Sequence, residues 1–233
     1  MDWDFYLTVK VGGIAVFIFV GGIAVSRKLG ISRAKAFFIN AVAVYAGYLL
    51  STSWYIVQHL LGSDAYDFGN IFQAWDEAGA VLYGWVIGGT LALILLTRKF
   101  KLSTVRYLDT VLPWMLVAQF LNRLGCFDAG CCYGALTNLP ISVYNNALDG
   151  QVHPVQLYES LFDLALFFFI KTRKNPRIGQ NTFYYFTCYP IARFFFEFLR
   201  GDNQPAFWFM TVPQVTSVLI LIVVFRLKNK ILL

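Results

Sequence analysis

The strongest constraint in this sequence is an alternation: seven apolar runs, at residues 7–25, 36–61, 80–96, 107–121, 156–170, 182–199 and 207–225, are separated by connections of unequal charge. A helix crosses a hydrocarbon core with about 20 apolar residues, fewer where polar side chains line a bundle interior. Arg27, Lys28, Arg33 and Lys35 fill the first connection, Arg98, Lys99, Lys101 and Arg106 the third, and Lys171, Arg173, Lys174 and Arg177 the fifth, with Arg226, Lys228 and Lys230 in the tail. Fifteen of the nineteen basic residues thus share one side, which the positive-inside rule makes cytoplasmic. The expected fold is an all-α polytopic membrane protein of seven transmembrane helices, N-terminus outside and C-terminus cytoplasmic. It forms a single domain over residues 1–233, with a small outer loop region at 122–155 between helices 4 and 5. A composition 58% apolar and only 14% charged excludes a soluble monomer and a disordered chain. The net charge of +6 is accounted for by topology, so no nucleic-acid partner is expected. The acidic start Met1-Asp-Trp-Asp lacks the basic leader of a secretory signal, so the first run is read as a retained span. Its Gly12-Gly13 and Gly21-Gly22 pairs suit close helix packing.

Lys10, Arg123, Arg193 and Arg200 remain after topology, all toward the outer side. An ionisable side chain within a span faces partners or a polar cavity and marks a functional interior by default. Tyr189, Arg193, Glu197 and Arg200 follow helical spacing and are expected on one face of the sixth helix, among Phe194, Phe195, Phe196 and Phe198. Two readings stand: an Arg193–Glu197 pair that fixes register, or a guanidinium held for an anionic headgroup, whose oxygens an arginine fork can bind in pairs.

Asn122-Arg123-Leu124-Gly125-Cys126-Phe127-Asp128-Ala129-Gly130-Cys131-Cys132-Tyr133-Gly134 reads as a tight turn system that could cradle an anion beside Arg123. Cys126, Cys131 and Cys132 admit several fates. Their spacing matches none of the paired zinc-finger patterns, and His153 alone is near as a fourth ligand, so no metal and no cofactor is expected. A disulfide is favoured on an oxidising face, with packing thiols as the plainer alternative. His153-Pro154-Val155-Gln156-Leu157-Tyr158-Glu159 opens the fifth helix, with Pro154 suited to its first position, and its N-terminus favours anions. His153 is either a general base or a hydrogen-bonding group.

Taken in order, these segments resemble the prolipoprotein diacylglyceryl transferase family of bacterial inner membranes. Arg123-Leu124-Gly125-x-Phe127 through Tyr133-Gly134 resembles its glycine-rich signature, and His153-Pro154-x-Gln156-Leu157-Tyr158-Glu159 its second motif. Tyr189-x3-Arg193-Phe194-x2-Glu197-x2-Arg200 resembles the third, and Val212-Pro213-Gln214-x2-Ser217 echoes a fourth. The resemblance spans about residues 75–217. It implies transfer of a diacylglyceryl group from an anionic phospholipid such as phosphatidylglycerol to a thiol acceptor, a lipoprotein-precursor cysteine, on the outer side of a bacterial cytoplasmic membrane. It also implies catalytic roles for Arg123, Arg193, Tyr83, His153, Tyr189 and Glu197, and lipid contacts by Asn122, Gly125, Gly134, Gln156, Tyr158, Glu159 and Arg200.

The chain also departs from that pattern. Tyr83-Gly84-Trp85 stands where the family has a histidine and two glycines, and Cys126, Ala129 and Cys131 replace asparagines and a glutamate, as in a divergent, cysteine-rich paralogue. A neutral tyrosine with a pKa near 10 is a poor base, so the acceptor thiol would rely on the arginines to favour its thiolate. Two alternatives use the same scaffold: thiol/disulfide or covalent lipid-carrier chemistry by the outer cysteines, or non-catalytic lipid binding and transport.

Overall fold

The computed structural model describes residues 3–62, 82–146, 148–201 and 209–232. They form helices α1 (Trp3–Ala15), α2 (Gly21–Leu29), α3 (Arg33–Gly62), α4 (Leu82–Lys99), α5 (Thr104–Asp128), α6 (Val155–Lys171), α7 (Gln180–Phe196) and α8 (Val212–Ile231), plus a hairpin of β1 (Val143–Asn145) and β2 (Gly150–Val152). A π-helical turn, Val16–Val20, joins α1 to α2 without a break, and a 3-10 turn, Glu197–Leu199, extends α7. Each of the seven apolar runs falls on a helix. The starts of the third and seventh runs, and residue 75, where the family resemblance begins, lie outside the described residues.

Three described stretches are long and apolar enough to cross a bilayer: Phe5–Leu29, Arg33–Ser53 and Val212–Ile231. The other helices carry polar side chains that the fold buries, among them Asp109, Gln119 and Arg123 on α5, Gln156, Glu159 and Asp163 on α6, and Asn181 and Arg193 on α7. Those side chains lower their hydropathy without exposing charge.

The chain divides into two compact units. In the unit spanning 31–104, α3 and α4 pack antiparallel through small residues. A Cβ added at Gly84 would lie 2.4 Å from the Ser51 Cα, and one at Gly88 would lie 2.7 Å from the Ala46 carbonyl oxygen. Ala43, Gly47 and Ser51 recur every fourth residue on α3, so the backbones approach as small-residue stripes allow. Thr97 and Thr104 share a hydroxyl hydrogen bond of 2.8 Å across the turn after α4.

The other unit comprises residues 1–30 and 105–233. Here the α1–α2 rod runs antiparallel to α5. Gly13 abuts the Ala118 carbonyl, Gly21 meets Val111 and Trp114, and Gly125 meets Tyr6 and Val9. Of the paired glycines on the rod, Gly12 faces open space instead. Pro113 has no N–H to give the Asp109 carbonyl one turn back. Asn181 Nδ2 donates to that freed oxygen at 3.1 Å. The Asp109 carboxylate meanwhile accepts from the Thr182 amide at 2.8 Å, the Thr182 hydroxyl at 2.7 Å and the Gly179 amide. This buried acid therefore caps α7 and ties its start to α5. Gly179 itself sits at φ 87° with its Cα against the Ile231 carbonyl, where no side chain fits.

Two expectations change. Residues 122–128 do not form a turn system: α5 continues to Asp128, and the loop begins at Ala129. Three glycines within thirteen residues signalled a turn, but Gly125 lies inside the helix, where its lack of a side chain admits α1. Arg200 does not continue the α7 stripe either. The helix tightens into a 3-10 turn at Glu197, and Arg200 is extended, at φ −78° and ψ 140°.

Candidate active site

The loop after α5 is built by backbone pairing. Ala129 and Cys131 donate to the Gly125 and Cys126 carbonyls, closing the helix around Gly130 at φ 67°. Residues 133–136 then lie between two other segments. Gly134 donates to His153 and His153 to Ala135, while Ala135 donates to Leu199 and Gly201 to Tyr133. A Cβ at Gly134 would come within 2.5 Å of the His153 carbonyl oxygen, so this crossing requires glycine. Asn145 Nδ2 donates to the Gly130 carbonyl at 3.1 Å, and Gln156 Nε2 to the Cys131 carbonyl at 2.6 Å, anchoring the loop to the hairpin and to α6.

The expected disulfide is absent: Cys126, Cys131 and Cys132 are free thiols. With Cys132 in the left-handed region at φ 62°, the three Sγ atoms all lie within 4.8 Å of one another. Hydrogen bonding from the Cys126 and Cys131 thiols, then the nearby Arg200 and Arg123, hold the Cys132 thiol below its ordinary range. His153 is not in that convergent set.

Beneath the loop, four charged side chains from three segments form one buried network. Arg123 Nε on α5 meets Glu159 Oε2 on α6 at 2.5 Å, and Arg193 Nη1 on α7 meets Glu159 Oε1 at 3.2 Å and Glu197 Oε2 at 2.6 Å. Thr211 donates its hydroxyl to Glu197 Oε1 at 2.7 Å, while the same residue and Gln214 form the capping box of α8. All four charged residues are 6% exposed or less. Two guanidiniums and two carboxylates balance, as buried ions must, since an unpaired ion costs several kcal/mol to desolvate. The Arg193–Glu197 pair of the first reading therefore exists, within a network that also recruits Arg123 through Glu159.

The network borders a small pocket lined by Glu159, Phe162, Asp163, Tyr189, Ala192, Arg193 and Phe196. Phe162 and Phe196 meet edge to face, with centroids 6.1 Å apart, giving an apolar wall over a charged floor. Tyr189 stacks on Tyr185, whose hydroxyl donates to Gln119 at 3.2 Å. Arg193 Nε and Asp163 Oδ1 are buried there without hydrogen-bond partners, and so are Tyr158 Oη and His153 Nδ1 elsewhere in this unit. The His153 and Tyr158 rings pack edge to face at 6.3 Å. A buried guanidinium N–H can give a strong, charge-assisted hydrogen bond to an anionic oxygen.

Of the expected site residues, Arg123, Glu159, Arg193 and Glu197 are bonded together, Tyr189 lines the pocket, Gln156 holds the loop through its side-chain amide, and Gly134 and Arg200 hold it through backbone pairing. Asn122 is half-buried on α5, and Gly125 is occupied by helix packing. Tyr83 lies in the first turn of α4, in the other unit, and its side chain lies outside what is described. Thr211 and Asn145 did not stand out in the sequence. Thr211 carried a signal, the capping-box pattern Thr-x-x-Gln ahead of an apolar run. Asn145, a tertiary anchor, carried none.

The family model for prolipoprotein diacylglyceryl transferase matches residues 4–227. The phosphatidylglycerol–prolipoprotein diacylglyceryl transferase of Clostridium tetani is 33% identical over 205 residues, covering 85% of this chain and 81% of its own. The second enzyme of that name in Clostridium perfringens is 34% identical over 206 residues, with 83% and 77% covered. The Clostridioides difficile enzyme is 33% identical over 183 residues, with 76% and 71% covered. A match across nearly the whole chain, together with a buried charge network built from the residues of three motifs, leads to one conclusion: the chain belongs to the prolipoprotein diacylglyceryl transferase family and is a membrane transferase.

Proposed function

We propose that this protein moves the diacylglyceryl group of phosphatidylglycerol, the donor in its relatives' names, onto the cysteine thiol of a lipoprotein precursor. The reaction takes place at the outer face of a bacterial cytoplasmic membrane. The observation that carries this reading is the unpartnered Nε of Arg193, buried in a pocket with a phenylalanine wall. An amphipathic anion would set its phosphodiester against the guanidinium and its acyl chains along the aromatic side.

Arg193 and Arg123 would hold the phosphate and stabilise the charge that grows on it as the glyceryl carbon departs. Glu159 and Glu197 keep both guanidiniums in position, and Tyr189 shapes the pocket. Tyr158 and His153, with Oη and Nδ1 unpartnered, would bind the donor's glycerol hydroxyls or its phosphate. Asn122, Gly125, Gly134, Gln156 and Arg200 set the loop and helix ends around them. The acceptor reacts as a thiolate, which the arginines favour. Tyr83 would donate a hydrogen bond rather than accept the proton. With seven spans and the N-terminus outside, as the charge asymmetry favours, the α5–α6 loop would meet an exported precursor at the outer leaflet.

Headgroup release separates transfer from mere lipid binding. Purified protein given phosphatidylglycerol labelled in its glycerol phosphate should free that label only when a lipobox peptide is present. Arg123→Ala and Arg193→Ala should abolish release, and Arg193→Lys should fail nearly as badly, since a point charge cannot reproduce a fork. Full release by both alanine variants would assign the arginines to folding alone.

A further inference from the structure

The proposed transfer leaves one step without a dedicated residue: the acceptor must lose its proton, and the position where the family has a histidine holds Tyr83. Three thiols lie within electrostatic reach of the proposed phosphate-binding arginines. Cys126 and Cys132 are electrostatic neighbours of Arg123, and Cys132 also of Arg200. Three Sγ atoms within 4.8 Å are close to the geometry of a zinc–thiolate centre. Zn–S bonds of about 2.3 Å in a tetrahedron set sulfurs about 3.8 Å apart, so a contraction of at most about 1 Å completes the set.

The loop is arranged for it. Gly130 and Cys131 are pinned through their carbonyls by Asn145 and Gln156, and the Cys131 amide is bonded to Cys126. The three thiols hydrogen-bond to one another, and the Cys131 thiol also contacts the Cys126 carbonyl at 3.6 Å, so the sulfurs already face a common point. The spacing argued against a closed four-ligand finger, and His153 stands apart from the cluster. Three protein ligands with a vacant fourth position are what distinguishes a catalytic zinc from a structural one. Three thiolates around Zn²⁺ carry one net negative charge, which the adjacent arginines offset. Cys126 is buried, while Cys131 and Cys132 are only partly so, leaving an approach from outside.

We propose that Cys126, Cys131 and Cys132 bind one Zn²⁺ whose open fourth position takes the acceptor cysteine as a thiolate and presents it to the phospholipid. This rests on the transferase reading above. On coordination the acceptor thiol gives its proton to the outer aqueous phase, because a metal-bound thiol is deprotonated outright. Its sulfur lone pair then forms a C–S bond to the glyceryl carbon. The C–O bond to phosphate breaks with its electron pair on the phosphate oxygen, releasing glycerol phosphate. The product thioether is neutral and a weak ligand, so it leaves the metal, and no atom changes oxidation state. The three cysteines would thus supply the activation that a neutral Tyr83 does not.

The test is a metal measurement on the full-length protein purified in detergent without chelators. Elemental analysis should find one zinc per chain. Replacing it with Co²⁺ should give thiolate-to-cobalt absorption that shifts when a lipobox peptide carrying cysteine is added and does not shift with the serine peptide. Cys132→Ser should weaken metal binding at least tenfold. Should that variant fold poorly, Cd²⁺ titration of the wild-type protein, with its sulfur-to-cadmium absorption, reads the site without any substitution. Absence of zinc and of Cd²⁺ binding, copper as the resident metal, or a cobalt spectrum indifferent to the cysteine peptide would each overturn the proposal. Lipid transfer separates this from the broader reading. A metal-free protein that transfers lipid at full rate sinks the zinc site and keeps the transferase, whereas a protein that binds zinc and thiol but never releases headgroup sinks the transferase reading alone.

Discussion

Glu159 is the joint of the buried network, and Glu159→Gln probes it with almost no change in volume. The carboxylate accepts from Arg123 Nε at 2.5 Å and Arg193 Nη1 at 3.2 Å. Glutamine keeps one carbonyl oxygen and must turn its amide N–H toward the second guanidinium. One charge-assisted hydrogen bond is lost, about 1.5–3 kcal/mol, and a donor is set against a donor. Complete rupture of a buried pair costs about 3–5 kcal/mol, so the substitution should cost about 2–4 kcal/mol in detergent without anionic lipid. For a chain of this size that is a fall in Tm of roughly 5–15 °C. The lost negative charge is the one a bound phosphodiester would restore. Phosphatidylglycerol at about 100 times its Kd should return roughly 2.7 kcal/mol, and phosphatidylcholine much less. Thermal unfolding of wild type and variant in detergent, with each lipid in turn, reads both effects. A variant as stable as wild type would show that the network is not under electrostatic tension. Equal rescue by the two lipids would show that its cations do not recognise an anionic headgroup.

Other consequences are simpler. Asp109→Ala removes the side-chain acceptor shared by Thr182 and Gly179, and should cost about 1–3 kcal/mol per donor left buried, measured as loss of Tm with the lipid-binding residues untouched. Tyr83→Phe should lose part of the transfer rate and Tyr83→His should stay active, because neither removes an essential base; steady-state kinetics on both variants checks this. In intact cells an added cysteine at Asn138, exposed on the α5–α6 loop, should gain an adduct from an impermeant thiol reagent beyond that of the parent protein, and one at Asn175 should not. The reverse pattern would turn the proposed site to the cytoplasm.

Helix positions were readable because hydrophobicity and charge act locally: every apolar run fell on a helix, and leftover charges pointed to Arg123 and Arg193. Their pairing was less legible. Spacing on one helix suggested Arg193–Glu197, but Glu159 lies thirty-four residues before Arg193, and no local pattern tells that one carboxylate will bridge two helices. Gly125 misled because a glycine that admits a neighbouring helix looks, in sequence, like one that allows a turn. Arg200 misled because its helical register assumed a uniform 3.6-residue turn through Glu197. In sequence Asp109 is only one acid three residues after Arg106. Its reason became visible when α7 began beside it and Pro113 left its carbonyl free for Asn181. The convergence of three thiols depends on Cys132 taking a positive φ, which a non-glycine residue rarely adopts and a sequence does not announce.

Diacylglyceryl transfer fixes a product stoichiometry that mere lipid binding or hydrolysis does not. Purified protein should be incubated with phosphatidylglycerol and a lipobox peptide, and the peptide and aqueous products read together by mass spectrometry. The account predicts a peptide heavier by one diacylglyceryl group on its cysteine, and one glycerol phosphate released for each peptide modified. Glycerol phosphate formed without modified peptide, or an unchanged peptide under conditions where the lipid is bound, would contradict it.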